Sequence, residues 1–518
     1  MRATVLGLAV VTAGLLSISN IAASSATLRV RLNADIRSVN PGVNRNDATD
    51  GVVLHVVEGL VGYSENGTVE PLLAERVVVS DDGLTYTFHL RKGVTFHDGL
   101  ELTSADVVWN WKRYLDPRTG WLCAAEYNGL NGIKVEDVTI GDRYTVSYRL
   151  DRPSSTFLAG IARNQCGQTA IIARSSVTAD GVFKTPIGTG PFRFAEWKRG
   201  EFVRLTRFDG YKSRAGRPDG YVGSKRPLVD EVRYLVIPDN ATAKAALVRG
   251  DIDILPNLAY SDVHELRQNP RLAVTTSPTM MLNTILLQTR DRLLANVRLR
   301  HAFAAAFDTT RLVAAVTEGL GERNNSVVPT RSAYYSAVQA RGNTYNPDRA
   351  RQLLKEAGYA RQPITITANK NERETYDTAV IAQAMLQAVG INARLEVIEW
   401  VTQLDRYNKG RYQVMSFSYS ARYDPALAYS SVIGSKDHLP NRIWDDATAQ
   451  GLLNRILIVP GGPQRQGLFD DLHRLFLEQV PLIMLYNGVE AAAVRNRVKG
   501  YAASVMSKPR LWEVSVAN

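Results

Sequence analysis

The stretch from residue 364 to 419 decides the fold. It reads ITIT (364–367), TYDTAVIAQAMLQAV (375–389), ARLEVI (393–398), TQLDRYNK (402–409) and VMSFSY (414–419). The first, third and fifth segments read as strands, the second and fourth as helices. A strand–helix–strand–helix–strand order implies a mostly parallel sheet with helices on its faces, because a parallel return needs a long crossover. The fold class is therefore α/β.

Upstream the pattern is richer in hairpins. Residues 28–33 alternate as a strand, and residues 51–63 carry Val52, Val53, Val56, Val57, Leu60 and Val61 at helical spacing. Tyr86, Phe88 and Leu90 alternate on a half-buried strand. Thr103 and Asp106 open a helix whose buried face is Val107, Val108, Trp111, Tyr114 and Leu115. Residues 138–150 predict a hairpin turning at Gly141-Asp142, and residues 192–208 a second turning at Arg199-Gly200. Residues 232–237, 241–249 and 251–255 give strand, helix, strand; residues 296–307 and 310–317 give two helices. Asn346-Pro347 starts another helix, which Gly358 stops. The two styles divide the chain into two unlike lobes, with a changeover near residues 278–288. Loop-like stretches fall at 207–227 and 460–467.

A chain of 518 residues holds roughly three domains' worth of sequence. Met1 and Arg2, an uncharged apolar run to Ile18 and a small polar segment ending at Ala26 form the pattern of a secretory signal peptide. The apolar run is short of the ~20 residues that span a bilayer, which argues against an anchor. Cleavage is expected after Ala26, with Ala23 as the rival, and the mature chain is expected to be periplasmic. Removing that segment takes away one arginine and no acid, so the formal charge of +11 falls to +10. Lys and Arg are dispersed among acids, with no block of five, which describes a solvated surface and not a nucleic-acid interface. Cys123 and Cys166, 43 residues apart, form one disulfide in an oxidising compartment, or else two separate buried thiols.

Enzyme chemistry leaves little trace. The seven histidines show no His-Glu-x-x-His spacing. There is no Gly-x-Ser-x-Gly elbow and no phosphate-binding Gly-x-x-x-x-Gly-Lys-Ser/Thr loop. No metal site or cofactor is expected. An exported hydrolase with catalytic groups dispersed along the chain stays open as an alternative.

A series of motifs then occurs in order: Val39-Asn-Pro41, Glu58-Gly-Leu-Val-Gly-Tyr63, Pro71-Leu-Leu-Ala74, residues 80–88 (SDDGLTYTF), residues 90–99 (LRKGVTFHDG), residues 186–192 (PIGTGPF), residues 245–253 (AALVRGDID), residues 297–302 (VRLRHA), Tyr345-Asn-Pro-Asp348 with residues 353–359, and Asp424-Pro425. This succession, over about residues 28–500, closely resembles the extracytoplasmic solute-binding proteins of the peptide and nickel type, solute-binding family 5, which serve ABC importers. The resemblance implies a two-lobed periplasmic-binding-protein fold with an extra subdomain in the first lobe. Lobe I is expected at 27–284, with the subdomain at about 71–185 and completion by about 485–518; lobe II is expected at 285–484. It further implies a monomer that encloses a small-molecule solute between its lobes and docks on an inner-membrane ABC permease. A peptide receptor or sensor would use the same fold.

Many peptide-binding members carry a Trp-Ser-Ala-Asp-Tyr-Pro-Asp-Pro-like segment whose first Asp pairs with the peptide's α-amino group. Here the segment reads Tyr419-Ser420-Ala421-Arg422-Tyr423-Asp424-Pro425. With one deletion before Asp424, Arg422 takes the acid's place; without a gap, Ala421 does. An Arg there offers a fork for a carboxylate or phosphate on the solute, or pairs with a protein acid across the lobes. Asp424 is expected to cap or shape the turn. Tyr419 and Tyr423 flank Arg422 and can stack on a solute. Other cleft candidates are Ser420, Trp121, Tyr127, Asn128, Met281 beside Met280, and Asn33 at the end of the first strand.

Overall fold

The β-α-β-α-β reading holds. In the computed structural model, which describes residues 26–130, 133–370 and 373–517, strands Ile364–Ala368 and Ala393–Val397 pair in parallel, and Ile364–Ala368 also pairs in parallel with Val414–Tyr419. Helices Arg373–Ala388 and Trp400–Asn408 make the two crossovers. Apart from Ala26, the expected signal peptide lies outside the described residues. None of the described helices is long and apolar enough to cross a membrane.

These strands form one end of a single ten-stranded sheet. Two long strands run through its middle, Leu272–Leu287 and Leu482–Arg495, antiparallel to each other. At about 3.3 Å per residue, sixteen residues reach about 50 Å, enough to belong to two cores in turn. The short strand Ile254–Leu255 follows, then Thr27–Leu32 and Glu231–Val236 in parallel, then the hairpin Phe202–Arg207 and Phe192–Lys198.

The pairing of the long strands slips between Pro278 and Leu282, opposite Val489 and Asn487. Proline has no N–H to give to the ladder, so a break there is expected physically. Cores change at the same place. Leu282–Leu287 and the Leu482–Tyr486 stretch pack into two second-lobe clusters, whereas Leu272, Ala491, Ala493 and Val494 pack into first-lobe clusters.

A separate four-stranded antiparallel sheet, Ala74–Val79, Thr85–Leu90, Thr145–Leu150 and Val135–Asp142, forms the hairpin-rich part of the first lobe. Helix Ser104–Leu115 packs on it, with Trp111 edge-on to Tyr148 at 5.1 Å. The Thr103 N–H and hydroxyl both donate to the Asp106 carboxylate, at 2.9 and 2.8 Å. Asn346 caps helix Pro347–Glu356 through the Arg349 N–H, and Gly358, at φ 66°, ends that turn.

Three local expectations need correction. The helix expected at 51–63 is Asp47–Val53: the Asn46 side chain caps it early, and the chain beyond becomes strand Val61–Tyr63. At Gly59 a Cβ would lie 2.1 Å from the Gln168 carbonyl oxygen, a close approach that a residue with a side chain does not allow. The hairpin turn falls at Arg143-Tyr144, because Asp142 Oδ1 accepts the Tyr144 N–H at 2.7 Å and shapes it. The stretch at 460–467 is only partly loop, since Pro463 opens helix Pro463–Gln479.

Several motif residues are scaffold. Glu58 and Lys225 form a buried ion pair at 2.9 Å, at 1% and 0% side-chain exposure. Tyr211 and Thr189 hydroxyls also donate to Glu58, at 2.8 and 3.1 Å, and the Lys225 ammonium lies 4.5 Å from the Trp512 ring centre. The His97 N–H donates to the Gly188 carbonyl at 2.9 Å, docking the 96–99 turn on the glycine-rich loop.

Candidate functional site

Strand Val414–Tyr419 runs along Leu282–Leu287 with Tyr419 opposite Leu282, so it delivers the segment 420–425 to the place where the long strands change core. Asp424 then stops the strand. Its Oδ1 accepts the Ala426 N–H at 2.9 Å, Pro425 takes the first helical position, and helix Pro425–Val432 begins. Both Asp424 oxygens are also held by Arg465 at 3.0 Å. That carboxylate is committed to the second lobe.

The residues before it face the first lobe. Tyr423, 5% exposed, sits in the first-lobe core cluster with its ring centre 4.5 Å from that of Tyr63. Ala421 packs against the same cluster, and Met280 belongs to it. A Cβ on Gly67 would meet Met280 Cε at 2.8 Å and Tyr423 Cβ at 3.5 Å, which measures how closely the two sides approach.

Arg422 lies in this seam. Among the described residues its Nη1 donates only to carbonyls of its own loop, Ala421 at 3.2 Å and Ser420 at 3.4 Å. Among the described residues it has no carboxylate within ion-pair distance, whereas Asp424 two positions on has Arg465. Burial, and then the nearby charge of Arg163, push the Arg422 guanidinium below its ordinary pKa; Glu126 pulls the other way.

Arg163 comes from the first lobe. Helix Phe157–Ile161 precedes it, and Tyr63 anchors that helix by donating to the Ala159 carbonyl at 2.6 Å. The Arg163 side chain, 11% exposed, donates to Glu126 Oε2 at 2.6 Å and contacts Cys166 Sγ at 3.0 Å. Its Nε is buried without a hydrogen-bond partner among the described residues. Arg422 thus sits near the Arg163 guanidinium, which Glu126 already pairs.

The remaining candidates are spread more widely. Cys123 and Cys166 are joined in a disulfide, Cα atoms 5.7 Å apart. Trp121 is buried beside it, donates to the Cys166 carbonyl at 3.0 Å and stacks on Tyr127 at 5.5 Å. Tyr127 is itself in the first-lobe core. Asn128 is exposed on the following loop, accepting the Leu130 N–H at 3.1 Å. Met281 lies within the register slip, its carbonyl accepting from Asn487 at 2.8 Å. Tyr419 is half-buried against Phe417 and Tyr407, while Ser420 is exposed. Asn33 is exposed and lines a different, small cavity of about 50 Å³ with Asp47 and Lys508. The structure thus groups Arg422, Ala421 and Tyr423 with Tyr63, Arg163 and Glu126. The last three were missed in the sequence; Arg163 stands three residues before a cysteine, and no spacing marks it as a partner of residue 422.

No group of three or more His, Cys, Asp or Glu side chains among the described residues is placed to hold a metal ion. The seam brings together a guanidinium that can make charge-assisted hydrogen bonds, aromatic side chains and a largely buried setting.

Comparison with known proteins gives the family and the fold. The chain is 28% identical over 510 residues to heme-binding protein A of Haemophilus influenzae, covering 92% of this chain and 88% of that one. It is 26% identical over 490 residues to the dipeptide-binding protein of Escherichia coli, covering 89% and 88%. The structure of HbpA2 from Haemophilus parasuis superposes with a TM-score of 0.82 at 25% identity, over 95% of this chain and all of that one, which gives this chain the same two-lobed fold. Residues 68–441 match the model of the bacterial extracellular solute-binding proteins, family 5 Middle. The chain therefore belongs to the family 5 extracellular solute-binding proteins.

Proposed function

We propose that this binding protein captures a small organic solute bearing an anionic group, peptide-like or otherwise carboxylate-bearing, and that Arg422 holds that group between the lobes. In this reading Arg163 reinforces the positive field, Tyr423 and Tyr419 wall the solute, and the loop containing Asn128 edges the site. The lobes part at the register slip, Pro278–Leu282 against Asn487–Val489. Closure follows from the solute's stronger interaction with the shut form. The protein acts as an exported monomer, freed of its leader near Ala26. It passes its solute unaltered to an inner-membrane ABC permease.

The observation that carries the reading is Arg422 itself: a largely desolvated guanidinium at the seam whose hydrogen-bond partners among the described residues are two neutral carbonyls of its own loop. Desolvating a cation without an anion is costly, and a solute carboxylate removes that cost. The alternative pairing of Arg422 with a protein acid loses weight, because the adjacent acid, Asp424, is taken by Arg465.

The test has two steps. Native mass spectrometry of the purified protein identifies a retained solute, expected intact at one molar equivalent; turnover of it would favour a hydrolase. Calorimetry then compares wild type with Arg422→Gln. A charge-assisted hydrogen bond contributes about 1.5–3 kcal/mol, so affinity should fall roughly 10- to 100-fold. Equal affinity for an anionic solute in both proteins overturns the assignment.

A further inference from the structure

A cavity of about 630 Å³ lies away from the seam. It opens at the far end of the second-lobe sheet. Tyr419 pairs with Leu282 at the seam end of these strands and Val414 with Leu287 at the other. The cavity is lined by Gln288 and Gln413, the residues just beyond that far end, and by Thr365 and Thr367 of the neighbouring strand. Five residues of strand separate it from the seam, about 17 Å at ~3.4 Å each.

Its walls carry more positive than negative side chains, and the negative ones are engaged. Glu396 is gripped by both Arg406 nitrogens, at 2.5 and 3.2 Å. Asp291 accepts the Leu293 and Leu294 N–H groups at 2.9 and 3.2 Å and Gln413 Nε2 at 3.2 Å. Arg290 and Lys409 are matched by acids outside the cavity, Asp437 with Asp445, and Asp405.

Two cations remain without a carboxylate. Lys436, 5% exposed, donates to Gln288 Oε1 at 2.6 Å and Thr289 Oγ1 at 2.7 Å, both neutral. An ammonium has a third proton to place. Burial and then Arg290 pull this group down to about 8, with Asp445 acting the opposite way. Arg411 is exposed at the rim, and its guanidinium makes no hydrogen bond or ion pair with the described residues. A buried ammonium and a free guanidinium facing one polar hollow of metabolite size are the makings of an oxyanion site.

We infer that this hollow is a second binding site, separate from the interlobe seam, which takes a small polyvalent oxyanion of the polycarboxylate or phosphate class through Lys436 and Arg411. Arg406 and Arg290, already paired, set its positive surroundings, and the Thr365 and Thr367 hydroxyls supply neutral donors. Occupancy does not depend on the solute in the seam.

The test uses citrate and pyrophosphate as probes in calorimetric titrations of the mature protein at low ionic strength. Binding of at least one probe is expected, about tenfold weaker in Arg411→Gln and lost in Arg411→Glu, an exposed position where folding is not at stake. Lys436→Met should also abolish it, with native circular dichroism as the control. Arg422→Gln should leave probe binding unchanged, which separates this site from the seam. No binding of either probe at 1 mM (an order-of-magnitude ceiling for a specific site), equal binding in the Arg411 variants, or loss in Arg422→Gln would each overturn the inference.

Discussion

Glu490 gives the sharpest test of the energetics at the lobe crossing. It lies on the long strand Leu482–Arg495, opposite Ser277 and one residue from the register slip. Its side chain accepts the Asn257 N–H at 3.1 Å. The nearest ammonium, Lys508, is held by Asp47 at 2.9 Å. Burial therefore dominates and raises the Glu490 carboxyl from 4.5 to about 7, with Asn257 and Lys508 opposing and Asp47 adding to the rise. An acid whose folded pKa is raised holds its proton longer in the folded state. Between about pH 4.5 and 7 the folded protein binds more protons than the unfolded chain, so this group makes stability fall as pH rises through that window. At 1.36 kcal/mol per pH unit the full effect is about 3 kcal/mol, an upper figure. Glu490→Gln keeps an oxygen for Asn257 and removes the titration. Urea unfolding of both proteins at several pH values checks it. The variant should match wild type near pH 4 and exceed its stability by about 3 kcal/mol at pH 8. Asp50, raised to about 6 by burial, titrates in both proteins and cancels in the difference. A stability difference constant across pH would refute the reasoning.

Two further outcomes follow from buried pairs. Lys225→Met leaves Glu58 charged and alone in the core and should cost about 3–5 kcal/mol in urea unfolding, whereas adding Glu58→Gln should recover most of it; an unrecovered double variant would show that packing, not charge, decides the site. Replacing Cys123 and Cys166 by Ser opens a 43-residue loop, for which the chain-entropy model gives about 4 kcal/mol, checked by chemical unfolding; a loss below about 1 kcal/mol would refute that account.

Much of this was written locally. The crossovers at 364–419, the Thr103–Asp106 and Asn346 caps and the Gly358 stop depend on residues within a few positions of each other, and the ordered motifs carried the family. The overshoot of the helix expected at 51–63 shows where local reading fails. Its apolar spacing continues past Val53, but the chain turns at 54–56, Glu58 bridges to Ile171, and the close passage of residue 168 leaves no room for a side chain at 59.

The sequence by itself determined the α/β class, the order of elements, the candidate leader, the family and the unusual arginine at 422. Tertiary structure alone decided what that arginine faces. Glu58 meets Lys225 across 167 positions, and Asp424 meets Arg465 across 41. Tyr423 of one lobe enters the core of the other. Such meetings are set by the register of two long strands and by where that register breaks. Spacing along a chain carries no record of contacts that depend on how distant strands align, so charge partners and site walls become visible only once the sheet is assembled.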